Sequence, residues 1–288
     1  MTELRELPDV LSADLVGTKF KTETVSWSKK DIMLYALGVG CKPEQELPFL
    51  YEGKGPLVLP TYAVIPGMRA MGNISQAVKL KLSRLLHGEQ SFELHRPLPA
   101  KVKDLKMESY ISEVWDKGKS GVIGVKAEFF DEVGLLFSCH STLFYLGGGG
   151  FGGEPGPSTK EKNLPPNRDP DVIVEYSTQE EQGALYRLSG DMVPLHVDPE
   201  FAQKAGYDKP FMHGLCTYGF VGRAALHALC ESNPENFKSM EGRFSERVQF
   251  CDQVITKIWK VEPGVAIIQA ENQLGKVVLS QAKVTYTE

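Results

Sequence analysis

The sequence predicts an α+β fold of two repeats, each a helix wrapped by an antiparallel sheet, joined by one linker. Three observations predict it. A Gly/Pro-rich segment, LGGGGFGGEPGPSTKEKNLPPNRDP, interrupts the chain near its middle. Short motifs recur in the same order on either side of it. Each half ends in partly alternating apolar segments separated by turn residues, the pattern of half-buried strands.

The linker, residues 147–170, is too dense in glycine and proline for a helix or a strand ladder. It leaves an N-terminal half, 1–146, and a C-terminal half, 171–288. A phosphate-cradling role for its glycines requires a helix start directly after them, and prolines stand there instead. In the first half Leu34-Tyr35-Ala36-Leu37 is followed by Gly38-Val39-Gly40. In the second, Leu185-Tyr186-Arg187-Leu188 is followed by Ser189-Gly190-Asp191, at an offset of 151. Leu59-Pro60-Thr61-Tyr62 matches Leu215-Cys216-Thr217-Tyr218 at an offset of 156, so a small insertion separates the two matches. After each Thr-Tyr a helix-compatible segment leads into strands. These are expected at 92–94, 107–114, 122–130 and 135–146, then at 247–250, 254–261, 265–272 and 277–285. Two such halves can join edge to edge and bury strand edges that would otherwise invite aggregation.

The apolar share of 42% and charged share of 24% are those of a soluble globular chain. No apolar run approaches the roughly 20 residues of a membrane span. The amino-terminal MTELRELPDVLSADL is too charged for the apolar core of a signal peptide. The final Val284-Thr285-Tyr286-Thr287-Glu288 is not a Ser-Lys-Leu type of address. The cysteines Cys41, Cys139, Cys216, Cys230 and Cys251 are odd in number and scattered, which fits a reducing compartment. A cytoplasmic or peroxisomal location is the expectation. The net charge of -5 argues against a nucleic-acid partner.

The stretch Tyr186-Arg187-Leu188-Ser189-Gly190-Asp191-Met192-Val193-Pro194-Leu195-His196 sets a carboxylate and an imidazole in one short segment. Gly190 permits a tight bend, and Pro194 is expected to block a helix between the two groups. Asp191 and His196 held close can share one water molecule, one removing its proton while the other returns a proton. The alternative is structural, a carboxylate capping a turn and a histidine filling a polar pocket, and the spacing alone leaves both open. The next segment, HGLCTYGFVGRAAL, reads as a buried helix that starts near His213 or Gly214. Gly219 and Gly222 cost helix propensity and so suggest close approach of another element. The first N–H groups of such a helix are free and its dipole favours negative charge there. Gly214 can thus offer an oxyanion donor to a reaction passing through an enolate, or it can simply pack tightly at a turn.

Taken together, YRLSGD-x-x-PLH-x-DPEFA and KP-x-x-HGLCT resemble the hydratase 2 motif of MaoC-like proteins. The first half adds LYALGVG, LPTYAV, LLHGEQSFELHRPLP and WDKGK, so the resemblance covers nearly the whole chain. It implies two hot-dog repeats and (R)-specific hydration of a trans-2-enoyl-CoA to (3R)-3-hydroxyacyl-CoA in acyl-CoA metabolism. It also implies no metal or organic cofactor, with the CoA thioester as substrate. By the same resemblance Asp191 and His196 match the catalytic acid/base pair and Gly214 the oxyanion donor. The repeat aligns Asp191 with Gly40, and the first half has no histidine at the place of His196. The first half is therefore expected to be non-catalytic and to house the acyl chain.

The family pattern has Asn where this chain has Val193, and often Pro-Gly where it has Cys251-Asp252. Val193 removes a side chain able to hydrogen-bond to Asp191, the water or the substrate, which puts turnover rate in question. His87 and Gln90 are candidates for substrate contact or for packing between the halves, and Arg243 for a CoA phosphate. His213 is expected to anchor the helix start, and Cys216 to be core. A homodimer is an expected assembly. Two other functions compete: a hot-dog acyl-CoA thioesterase, and an acyl-CoA binding protein whose activity is weakened at Val193.

Overall fold

The computed structural model describes residues 7–288; residues 1–6, the start of the charged amino-terminal segment, lie outside the described residues. After an opening 3-10 turn come strand β1 (Glu23–Trp27), helices α1 (Lys29–Gly38) and α2 (Pro43–Leu50), and α3 (Val64–Gly72) flanked by 3-10 turns. Strands β2 (Leu85–Leu94), β3 (Val102–Asp116), β4 (Ser120–Asp131) and β5 (Gly134–Leu146) complete this half. The Gly/Pro-rich segment that follows forms neither helix nor strand. Beyond it β6 (Val172–Ser177), α4 (Gln182–Tyr186), α5 (Pro199–Lys204) and α6 (Gly214–Cys230) lead into β7 (Phe237–Phe244), β8 (Gln253–Glu262), β9 (Val265–Glu271) and β10 (Val277–Tyr286).

All ten strands form one sheet, in the order β1-β3-β4-β5-β2-β7-β10-β9-β8-β6. The seam between the halves is the antiparallel pair β2/β7, with Gln90 opposite Gly242 and Phe92 opposite Met240. The edge-to-edge junction expected from the sequence is therefore present. Phe92 stacks on Phe237 at 5.9 Å and meets Tyr218 edge-on, which fills the helix side of the seam. On the other side Arg243 pairs with Glu89 at 3.1 Å.

Three strands differ from expectation. The segment at 247–250 is a loop, and the strand that opens the second set is β7. The sequence FKSMEGRF is half polar because Ser239, Glu241 and Arg243 point away from the helices while Met240 and Phe244 point toward them. The edge strands β1 and β6 were not expected because they are short, with only two buried positions in β1 and only partly buried ones in β6.

Helix α6 lies at the centre with 14 of its 17 residues buried. A Cβ at Gly219 would collide with Val39 of the first half, and one at Gly222 with Thr61. These glycines therefore let the first half dock against the helix, the close approach that their low helix propensity suggested. The repeat-related Tyr35 and Tyr186 meet at a ring separation of 6.0 Å. Contact between equivalent residues is expected where two repeats face each other across an approximate two-fold axis.

Candidate active site

The loop after α4 is shaped by its sequence. A 3-10 turn (Arg187–Ser189) ends at Gly190, whose φ of 139° is accessible to glycine and strained for a side chain. Asp191 follows, and the backbone N–H of Val193 donates to its Oδ1 at 3.3 Å. Pro194 keeps an α-helix from forming between the two groups, and it opens a 3-10 turn (Pro194–His196) that carries His196. Asp198 then caps α5 by accepting from the N–H groups of Glu200 and Phe201.

His196 Nδ1 lies 2.8 Å from the backbone carbonyl of Phe211. A carbonyl only accepts, so Nδ1 carries the proton and Nε2 is left with a free lone pair. Burial lowers the His196 pKa, opposed by the Phe211 hydrogen bond and the Asp191 charge. The neutral ring is therefore favoured. His213 precedes α6 and is 1% exposed. Its ring stacks on that of His196, with centroids 3.8 Å apart and planes 29° apart. One polar side-chain atom from each of Asp191, His196 and His213 falls within 4.8 Å of the others.

Gly214 is the first residue of α6, where an N–H has no acceptor within the helix. A Cβ there would stand 3.3 Å from the Phe244 ring, so glycine keeps this approach open. The structure thus brings Asp191 and His196 together beside a helix start. A water molecule can sit between the carboxylate and the bare Nε2, and an anionic oxygen can be held at the helix end.

The remaining candidates are placed differently. Val193 is 47% exposed, and its backbone supplies a hydrogen bond to Asp191 that the valine side chain cannot. His87 lies behind Phe244, ring to ring at 5.1 Å, on the helix side of the sheet. Burial pushes its pKa down to about 4, opposed by hydrogen bonds with the Glu89 carbonyl and Gln90. Gln90 is buried, accepts from Ser141 Oγ at 2.8 Å and donates to the Ser91 carbonyl, so its amide serves the sheet. Arg243 is not brought to Asp191, His196 and Gly214, though it shares a cavity with Gln90. It projects from the opposite face into a cavity of about 620 Å³ roofed by linker residues such as Thr159, to which it donates. Neither Asp191, His196 nor Gly214 lines that cavity. Sequence reasoning placed His213 at the helix start, but it missed the Phe211 carbonyl and the stacking of the His213 ring on His196. The one available signal was that His213 immediately precedes Gly214.

The first half contributes too. Met68 and Ile65 of α3 are the nearest atoms to the open side of Gly190, at 3.8 and 4.0 Å from where its Cβ would stand. Among the described residues, no helix is long and apolar enough to cross a membrane.

Residues 25–147 match the family model described as MFE-2 hydratase 2 N-terminal domain, and residues 161–282 that of the MaoC like domain. The chain is 35% identical to "Probable enoyl-CoA hydratase 2" of Dictyostelium discoideum, over 92% of this chain and 93% of that one. It is 36% identical to "Peroxisomal multifunctional enzyme type 2" of Mus musculus over 93% of this chain, and it spans 38% of that longer protein. Among solved structures, a MaoC-like dehydratase from Phytophthora capsici superposes with a TM-score of 0.87 at 29% identity, covering 96% of this chain and 98% of that one.

Proposed function

The chain belongs to the MaoC-like enoyl-CoA hydratase 2 family, and on that premise we propose that it hydrates a trans-2-enoyl-CoA to (3R)-3-hydroxyacyl-CoA, reversibly, in fatty-acid or related acyl-CoA metabolism. The observation that carries this reading is the Asp191 and His196 side chains brought together at the start of α6, with His196 Nδ1 engaged by the Phe211 carbonyl and Nε2 left to accept.

The thioester draws electrons from the double bond and makes Cβ electrophilic. A water held between Asp191 and His196 gives up a proton to one of them as its oxygen bonds to Cβ. The π electrons move toward the thioester carbonyl, whose oxygen gains negative charge and is held by the Gly214 N–H. Cα then takes a proton from the pair. Hydroxyl and hydrogen have been added, and both side chains end as they began. No cofactor takes part in this scheme.

The first half, in the same proposal, houses the acyl chain, supported by Ile65 and Met68 facing Gly190. The free cysteines, four of them buried, suit a reducing cytoplasmic or peroxisomal location. The test is to incubate the protein with crotonyl-CoA and with a longer enoyl-CoA. Loss of enoyl absorbance with a (3R) product is expected. A (3S) product, or release of free thiol without hydration, would refute the proposal, the latter in favour of a thioesterase.

A further inference from the structure

We propose that His213 is a positioning residue: it holds the Asp191 loop and the His196 ring in register with the Gly214 N–H. The kinetic part of this inference rests on the hydratase reading; the placement of the protons does not.

His213 touches each reacting group by a different means. Its Nε2 lies 3.2 Å from the backbone carbonyl of Asp191. That carbonyl accepts, so Nε2 carries the proton and ties the Asp191 loop to the helix start. Its ring face covers His196 at 3.8 Å and removes water from one side of that imidazole. Its own carbonyl accepts from the N–H groups of Cys216 and Thr217, which closes the first turn of α6 around Gly214. On another side the Tyr186 ring packs at 5.0 Å and limits how far the imidazole can turn. Such contacts fix positions to the fraction of an ångström that acid/base catalysis needs.

The remaining nitrogen, Nδ1, is buried and has no partner among the described residues. A protonated Nδ1 would be a buried charge lying against a second imidazole, so His213 stays neutral. Burial and the adjacent His196 push its pKa down to about 3. The groups that face His196 are then the Asp191 carboxylate and the neutral His213 ring. Arg187 lies on the preceding turn, and Arg247 stacks beyond the Phe211 ring. With His213 held neutral, its proton stays on Nε2 and the donor to the Asp191 carbonyl is kept.

Two variants separate the two roles. His213→Phe keeps a ring against His196 and loses the donor to Asp191. It should lower kcat about tenfold or more with KM nearly unchanged, and leave the acid limb of the kcat/KM profile in place. His213→Gln keeps a donor of similar reach and loses the stacked ring. Water then reaches His196, and the acid limb should move up toward the ordinary histidine value near 6.5. A residue that only packs would lower stability and the amount of active enzyme in both variants without moving either profile, and that result would overturn the proposal. The unsubstituted protein gives an independent check. Imidazole ¹⁵N shifts should show His213 neutral with its proton on Nε2 from pH 5 to 8, and His196 with its proton on Nδ1. A His213 that titrates near pH 6.5, or carries its proton on Nδ1, would refute the placement whether or not the protein hydrates enoyl-CoA.

Discussion

Arg223 of α6 and Glu46 of α2 form a buried ion pair between the two halves. Nε donates to Oε1 at 2.6 Å and Nη2 to Oε2 at 2.9 Å, with side chains 2% and 3% exposed. Arg223 Nη1 also donates to the Val39 carbonyl, and its guanidinium lies over the Tyr176 ring at 3.8 Å. His227 reaches the same Glu46 oxygen at 2.7 Å. The helix that begins at Gly214 is thus fastened to the first half about two and a half turns further on.

Removing one partner leaves the other charge buried and unpaired, which costs about 3–5 kcal/mol. Glu46→Gln should therefore lower Tm by on the order of 10 °C in a chain of this size. A Tm within about 2 °C of the unsubstituted protein would show that the pair contributes little.

The same pair sets an acid limit. Burial alone would raise the Glu46 pKa, but the hydrogen bonds from His227 and Arg223 and the Arg223 charge hold it down at about 2, from an ordinary 4.5. The folded state therefore binds fewer protons here than the unfolded state. This stabilisation is complete above pH 4.5 and lost as pH falls toward 2. Melting at stepped pH should show the gap between the protein and Glu46→Gln narrowing through that window. A constant gap would contradict the assignment.

Catalysis should have its own pH signature. Burial lowers the His196 pKa from 6.5, and the free imidazole is the form able to accept a proton. The profile of kcat/KM, which reports the free enzyme, should therefore fall in acid with a midpoint below 6.5. A midpoint at or above 6.5 would mean that His196 is not shielded from water as the structure places it.

Much of this was legible in the sequence, for a physical reason. The two Leu-Tyr motifs, the Gly/Pro-rich segment and the small-residue helix are local patterns, and they mark the places where the halves touch. The Asp191–His196 segment was legible because glycine and proline dictate its bends. Strand β7 was not, because its outward face is built from ion-paired residues such as Glu241 and Arg243, and its apolar content is low. For the same reason Arg243 could not be assigned to a face until its strand was known. The Phe211 carbonyl and the His213 ring reach His196 only through tertiary folding, from 15 and 17 positions away.

Val193 offers a gain-of-function test. Its side chain is 47% exposed, so Val193→Asn can be made without overpacking and should change stability by no more than about 0.5 kcal/mol. The backbone N–H at this position already serves Asp191. An asparagine amide would add a donor for the water or the substrate. The expected result is a kcat raised up to about tenfold with KM nearly unchanged. An unchanged or reduced kcat would show that the valine is accommodated and not a defect.

The most direct test of the central claim is steady-state hydration of crotonyl-CoA by Asp191→Ala and His196→Ala. Each should lower kcat by about a hundredfold or more, with circular dichroism and melting like those of the unsubstituted protein. Near-normal activity in either variant would contradict the account.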